Sequence, residues 1–191
     1  MAGNAGNLSL GPGLLYEGPL GTTTPTDHTT ALDPALLPIG YTEEGSAFSW
    51  NSTNEGVPVA ESVYPATHRT TSVEGTLTFA MAEDTIKNWQ RALNGGTVTA
   101  YGVAPNAGFK FTPPKPGEEV RRVFVWESED KKRRMVFKQL FQGGSVEAVR
   151  RPGATKTTLP VEFRVEQPED GSDPFEIYYA EVYSGGATAT A

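Results

Sequence analysis

The stretch TTSVEGTLTFAMAEDTIKNWQRALNGG, residues 70–96, decides how the rest of the chain is read. Its first half alternates: Val73, Leu77, Phe79 and Met81 fall on one side, and Ser72, Glu74, Thr76 and Thr78 on the other. That is the period-two pattern of a strand with one dry and one wet face. The second half changes period. Ile86, Trp89 and Leu93 recur at helical spacing, Glu83 and Asp84 stand where the positive end of a helix dipole would be, and Asn94-Gly95 supplies a left-handed stop. The pattern predicts a short amphipathic helix over about 84–94, roughly three turns. No other stretch has a comparable helical signal, so a single helix must pack on whatever sheet the remaining residues make.

The 191 residues suffice for a real core, and one domain spanning 1–191 is the natural count. Glycine (21) and proline (15) together make about a fifth of the chain, which suits many short strands punctuated by turns rather than a helical bundle. The expected fold class is mainly β, an antiparallel sandwich or partly closed barrel flanked by the one helix. Sixteen basic groups against 23 acidic ones leave a net charge of −7, a field that repels nucleic acid and argues against a generic DNA binder. The absence of cysteine excludes disulfides, thiolate zinc sites and cysteine nucleophiles. No stretch has the pattern of a signal peptide or the apolar length of a membrane span, so a soluble protein made in a cytoplasm is expected.

Outward from residues 70–96, IGYTEEGSAFSW (39–50) reads as a strand bent or bulged at Gly45. If it pairs with the strand after Thr70, the intervening 51–69 become a long loop that projects as an arm. Residues 18–38, rich in threonine and proline, read as a second long loop, and 1–7 and 184–191 as flexible arms. Leu8 to Tyr16, broken at Gly11-Pro-Gly13, suggests an edge strand or strap. After the helix, 97–103 reads as a strand and 105–116 as a loop around Phe109 and Phe111. Residues 120–127 and 133–141 form the clearest hairpin, with SEDKK at its tip. It is apolar on both sides, so it must be covered on both, by the chain itself or by a partner. Residues 159–165 read as a half-exposed strand and 175–182 as the last one.

The chemistry-bearing residues form no convincing catalytic set. His28 has Asp27 and Asp33 nearby, but a histidine in a polar loop is mostly a solvated one, and neither a metal nor a cofactor is expected. Ser46 and Ser145 lie outside any nucleophile elbow, and no phosphate loop or dinucleotide fingerprint is present. The pairs Glu43-Glu44 and Glu118-Glu119 point to opposite faces of a strand, poor geometry for two acids acting together. Asn7-Leu-Ser9 and Asn51-Ser-Thr53 match the glycosylation acceptor pattern by chance. The run Lys131-Lys132-Arg133-Arg134 follows Glu127, Glu129 and Asp130, so the hairpin tip is dipolar and suits a charge pair with another chain better than nucleic acid.

The succession PIGYTEEGSAFSW, an arm containing VPVAESVYP, the 70–96 stretch and a closing run of strands resembles the major tail tube proteins of long, non-contractile-tailed bacteriophages. The likeness covers about 38–182 and leaves 1–37 outside it. Proteins of that family are similar in fold to contractile tail tubes and the type VI secretion tube, and they form six-subunit rings stacked into a hollow cylinder. The resemblance therefore implies a non-enzymatic, self-assembling virion protein of the tail, put together in the host cytoplasm. Its lumen would conduct double-stranded DNA without sequence-specific binding and hold the tape-measure protein beforehand. Tail terminator and distal tail proteins would meet its ends, and no membrane is involved. Four strands from each of six subunits would close about 24 strands, beyond the 22 that already enclose a lumen.

Carried onto this chain, the resemblance makes Glu44, Ser46, Glu74, Thr76 and Thr78 the candidate lumen lining, and Val57, Val59, Val63 and Tyr64 the arm's contacts to the next ring. Lys131, Lys132, Arg133 and Arg134 join them as candidates for inter-subunit contact, and loop 18–38 and the two tails are a second choice. Six chains at −7 each would give −42 per ring, the sign that repels phosphate. The alternatives are a single-ring terminator or neck protein of the same fold, and a carbohydrate-binding β-sandwich using Trp50, Tyr41 and Tyr64.

Overall fold

The computed structural model describes residues 10–150, 152–153 and 156–180. The expected arms at 1–7 and 184–191, the Asn7 acceptor and the end of the last strand at Val182 lie outside the described residues. The described chain is mainly β, with ten strands and one helix: β1 (Leu14–Pro19), β2 (Leu37–Pro38), β3 (Thr42–Val59), β4 (Ser62–Met81), α1 (Ile86–Ala92), β5 (Thr97–Tyr101), β6 (Gly108–Thr112), β7 (Arg122–Glu127), β8 (Arg133–Gln142), β9 (Leu159–Val165) and β10 (Phe175–Tyr179). Every pairing is antiparallel. Eight strands form one sheet in the order β2-β1-β7-β8-β9-β4-β3, and β5 and β6 make a separate hairpin.

The far edge of β8 is divided: β10 pairs with residues 133–137 and β9 with 140–142. Such a fork lets the sheet curl, and its concave side closes on one core. Leu15 of β1, Phe124 of β7, Phe137 and Leu140 of β8, Phe163 of β9 and Leu77, Phe79 and Met81 of β4 share that core with Ala92 of the helix. The alternation over residues 77–81 is thus the imprint of a sheet with one buried face, whereas Val73, expected on the same dry side, is exposed because the strand has left the core by then. Phe163 stacks 5.7 Å from Phe79 and tilts 4.5 Å from Phe124, which locks the centre.

The helix is shorter than the pattern predicts, seven residues against about eleven. Thr85 is its N-cap, the hydroxyl accepting from the Asn88 amide at 3.2 Å. Glu83 and Asp84 precede the cap instead of filling the first turn: the Glu83 carbonyl accepts from Asn88 Nδ2 at 2.8 Å, and Asp84 accepts from Trp89 Nε1 at 2.8 Å. At the other end Asn94, at φ 57°, makes the expected left-handed stop. Its side chain also pairs with the backbone of Gln142, accepting from that amide at 3.0 Å, which fastens the stop to β8.

Two stretches expected as loops are ladders. Residues 51–69 extend β3 and β4 into a continuous hairpin, and Phe109 and Phe111 lie in β6, opposite Ala100 and Val98 of β5. The doubly apolar hairpin is β7-β8 with its tip at 128–132, and the chain covers both its faces. The second face carries Val123, Val125 and Val136 under Leu32 and Leu36 of loop 20–36. That loop therefore lies against its own subunit rather than projecting. Arg134 pins it, donating to the Asp27 and Thr30 carbonyls at 2.7 and 2.9 Å while paired with the buried Glu127 at 2.7 Å.

Candidate assembly surfaces

Beyond Gly75 the β3-β4 hairpin leaves the core, and from Ser49 to Glu74 every residue is exposed. The nine residues from Asn51 to Val59 extend it by about 30 Å. What holds the arm together is backbone hydrogen bonding in a ladder through Asn54↔Thr70, Glu55↔Arg69, Gly56↔His68 and Val57↔Thr67, helped by a 2.7 Å bond from the Thr70 hydroxyl to Asn54 Oδ1. The register slips between Val57 and Val59, where β3 advances two residues and β4 five. The surplus on β4 thrusts Val63 and Tyr64 outward at 99% and 81% exposure, beside the exposed Val57 and Val59. The four arm residues singled out in the sequence thus gather at the tip, uncovered. Where the arm leaves the core, Trp50 sets its ring edge-on to Phe175 at 5.1 Å and stays half exposed, next to Val73.

The wet face of the sheet is defined by register, because directly opposed residues project from the same side. Thr78 lies between Ala47 and Glu162, Thr76 between Ser49 and Arg164, and Glu74 opposite Asn51. Glu74, Thr76 and Thr78 therefore do share one polar face. Ser46 does not: it opposes Phe79 and shares the side of Phe48, two residues on, which packs on the core. Glu44 falls in the bulged stretch between Thr42 and Ser46, around Gly45 at φ 80°, off the regular alternation. The face instead gains Ala47, Ser49 and Asn51 from β3 and Glu162 and Arg164 from β9. Arg164 reaches Glu162 at 3.2 Å and Glu74 at 3.7 Å, so the face carries two acids and one base at its centre.

The basic run at the β7-β8 tip divides. Lys131 and Lys132 are exposed, whereas Arg133 and Arg134 are buried in their own subunit, Arg134 by the contacts to loop 20–36 given above. The physical reason is cover: Lys131 and Lys132 lie in the turn, whereas Arg134 opposes Glu127 across the hairpin, under loop 20–36. The β5-β6 hairpin is a further projection, exposing Val98 and Phe109 on one side and Tyr101 on the other.

The other candidates disperse. Tyr41, Trp50 and Tyr64 are strung along the β3-β4 hairpin, more than about 20 Å between neighbours by strand rise, and line no common cleft. Asp27 beside His28 spends its carboxylate on the amides and hydroxyls of Thr29 and Thr30, which hold its pKa well below the usual carboxylate range. Asp33 caps its own turn through the Ala35 amide at 2.8 Å. Among the described residues no three His, Asp or Glu side chains converge as a metal cage would require, and no helix is long and apolar enough to cross a membrane. Glu118 and Glu119 accept from the Lys115 and Gly117 amides in a surface turn. No protein-family model and no curated protein sequence matches the chain.

Proposed function

We propose that this chain is a structural, non-enzymatic subunit that assembles with copies of itself into stacked six-membered rings, forming a hollow tube of the kind found in long, non-contractile phage tails. The observation that carries the reading is the β3-β4 arm: some twenty exposed residues, ordered as a ladder and ending in Val57, Val59, Val63 and Tyr64, with no cover from the described residues of their own subunit. Apolar groups at the end of a 30 Å projection are stabilised only by burial against something else. A surface of one copy that meets a different surface of the next makes a head-to-tail contact, which propagates into rings or fibres.

In this reading the arm reaches the adjacent ring, and the face bearing Glu74, Thr76, Thr78, Glu162 and Arg164 lines a channel for double-stranded DNA and, before it, a tape-measure protein. Terminator and distal tail proteins would close the two ends, and the tube belongs to the virion tail. Because the chain covers both faces of β7-β8 itself, the case for identical partners rests on the arm and the β5-β6 hairpin. Negative-stain microscopy of the purified protein tests it. Hollow tubes or stacked rings are the expected result, isolated single rings point to a terminator-like protein, and dispersed monomers at high concentration overturn the reading.

A further inference from the structure

The cation at the centre of the polar face is built in, not merely present. Arg164 projects from β9 between Glu162, two residues back on the same side, and Glu74 of β4, with Nε and Nη2 at 3.3 and 3.2 Å from one Glu162 oxygen and Nη1 3.7 Å from Glu74. Two glycines make room for it. A Cβ on Gly143 would stand 3.0 Å from both Cδ and Nε of Arg164, and one on Gly144 would collide with Glu162 Cβ at 2.5 Å. The amides of Gly143 and Gly144 both donate to the Glu162 carbonyl, at 2.9 and 3.3 Å, which holds this shelf against β9.

We propose that Glu74 and Glu162 mask Arg164 against phosphate, so that the face can carry a guanidinium without gripping a nucleic acid backbone. The inference rests on the tube reading, in which this face meets duplex DNA. An unmasked arginine is the side chain best shaped to fork onto a phosphate. One such contact per subunit, repeated around every ring, multiplies into retention even where each is weak. With both carboxylates intact the triad carries one net negative charge. With both neutralised it carries one net positive charge, and the guanidinium is released.

The experiment uses assembled tubes, checked by microscopy before any DNA is added, and a fluorescent short DNA duplex sedimented with them at low and high salt. Wild-type tubes are expected to leave the duplex in solution. Glu74→Gln/Glu162→Gln tubes are expected to retain several-fold more at low salt and to release it as salt rises, by about eightfold per contacted phosphate for a tenfold increase in salt. Adding Arg164→Gln to that pair should abolish the gain. Retention by the double variant no greater than wild type, or equal retention with and without Arg164, overturns the proposal. If the double variant does not assemble, the single replacements Glu162→Gln and Glu74→Gln give the same reading with a smaller gain, and no gain in either overturns it. Wild-type protein that never forms tubes overturns the tube reading instead, and microscopy reports that outcome separately.

Discussion

Arg91 Nε donates to Glu17 Oε1 at 2.7 Å across an interior where both side chains are at most 5% exposed, tying the helix to β1. Glu17 also takes Arg122 of β7 at 3.0 Å, and Arg91 reaches Asn88 Oδ1 and the Ile39 carbonyl. The inward side of α1 is therefore polar at Asn88 and Arg91 and apolar at Ala92, while Ile86, Trp89 and Leu93 are only half buried. Replacing Glu17 by Gln takes the counter-charge from the buried Arg91 and from the partly buried Arg122. A loss of about 3–5 kcal/mol is expected, read from the urea midpoint at constant slope.

The centre of the core and the end of the arm should respond in opposite ways. Phe163→Ala removes a ring with 0% exposure from the stack with Phe79 and Phe124 and should cost about 3–5 kcal/mol of stability. Val63→Asp should leave the unfolding free energy within about 0.5 kcal/mol, since that side chain is 99% exposed, yet impair polymerisation. Thermal unfolding beside light scattering separates the two effects.

Excising 53–72 and joining Ser52 to Val73 through an Asn-Gly turn preserves the last regular pair of the shortened hairpin, Ser52↔Val73. The shortened protein should keep its circular dichroism and melting temperature and fail to form tubes. Normal tubes from it would remove the arm from the assembly.

Stability should fall at high pH. Burial and the hydrogen bond to Glu176 push the Tyr178 hydroxyl up to about 12, above its ordinary value near 10. A group that holds its proton more tightly in the folded state stabilises that state fully below the unfolded pKa, and the contribution is lost as pH rises through the folded one. Unfolding free energy should therefore decline between about pH 10 and 12, and Tyr178→Phe should flatten the slope. A residual slope should remain from Tyr16, whose pKa burial and the nearby Glu127 also raise.

Strands that bury one face were legible, because burial writes an alternation into the sequence. Leu77, Phe79 and Met81, and Leu159, Val161 and Phe163, show it, and they form the core. The ladder over residues 51–69 was not, since neither of its faces is buried and exposed strands need no period. Backbone pairing alone sets their structure. Counting by two from Phe48 places Ser46 on the dry side, but the glutamates beside it masked that signal. The bulge in β8 was equally hidden: between Arg122 and Phe124 its partner advances three residues, which puts Leu140 on the core side with Phe137 and turns Phe141 away, under Arg121. Leu32 and Leu36 sit in a threonine- and proline-rich segment with no period of its own, so their role as the second cover of β7-β8 appears only in three dimensions.

The paired arm has a mechanical consequence. A flexible loop of the same length would act as a tether, setting only how far apart two bodies can drift. A twisted two-stranded ribbon rooted beside Trp50 and Phe175 acts as a strut, so whatever grips Val63 and Tyr64 inherits an angle as well as a distance.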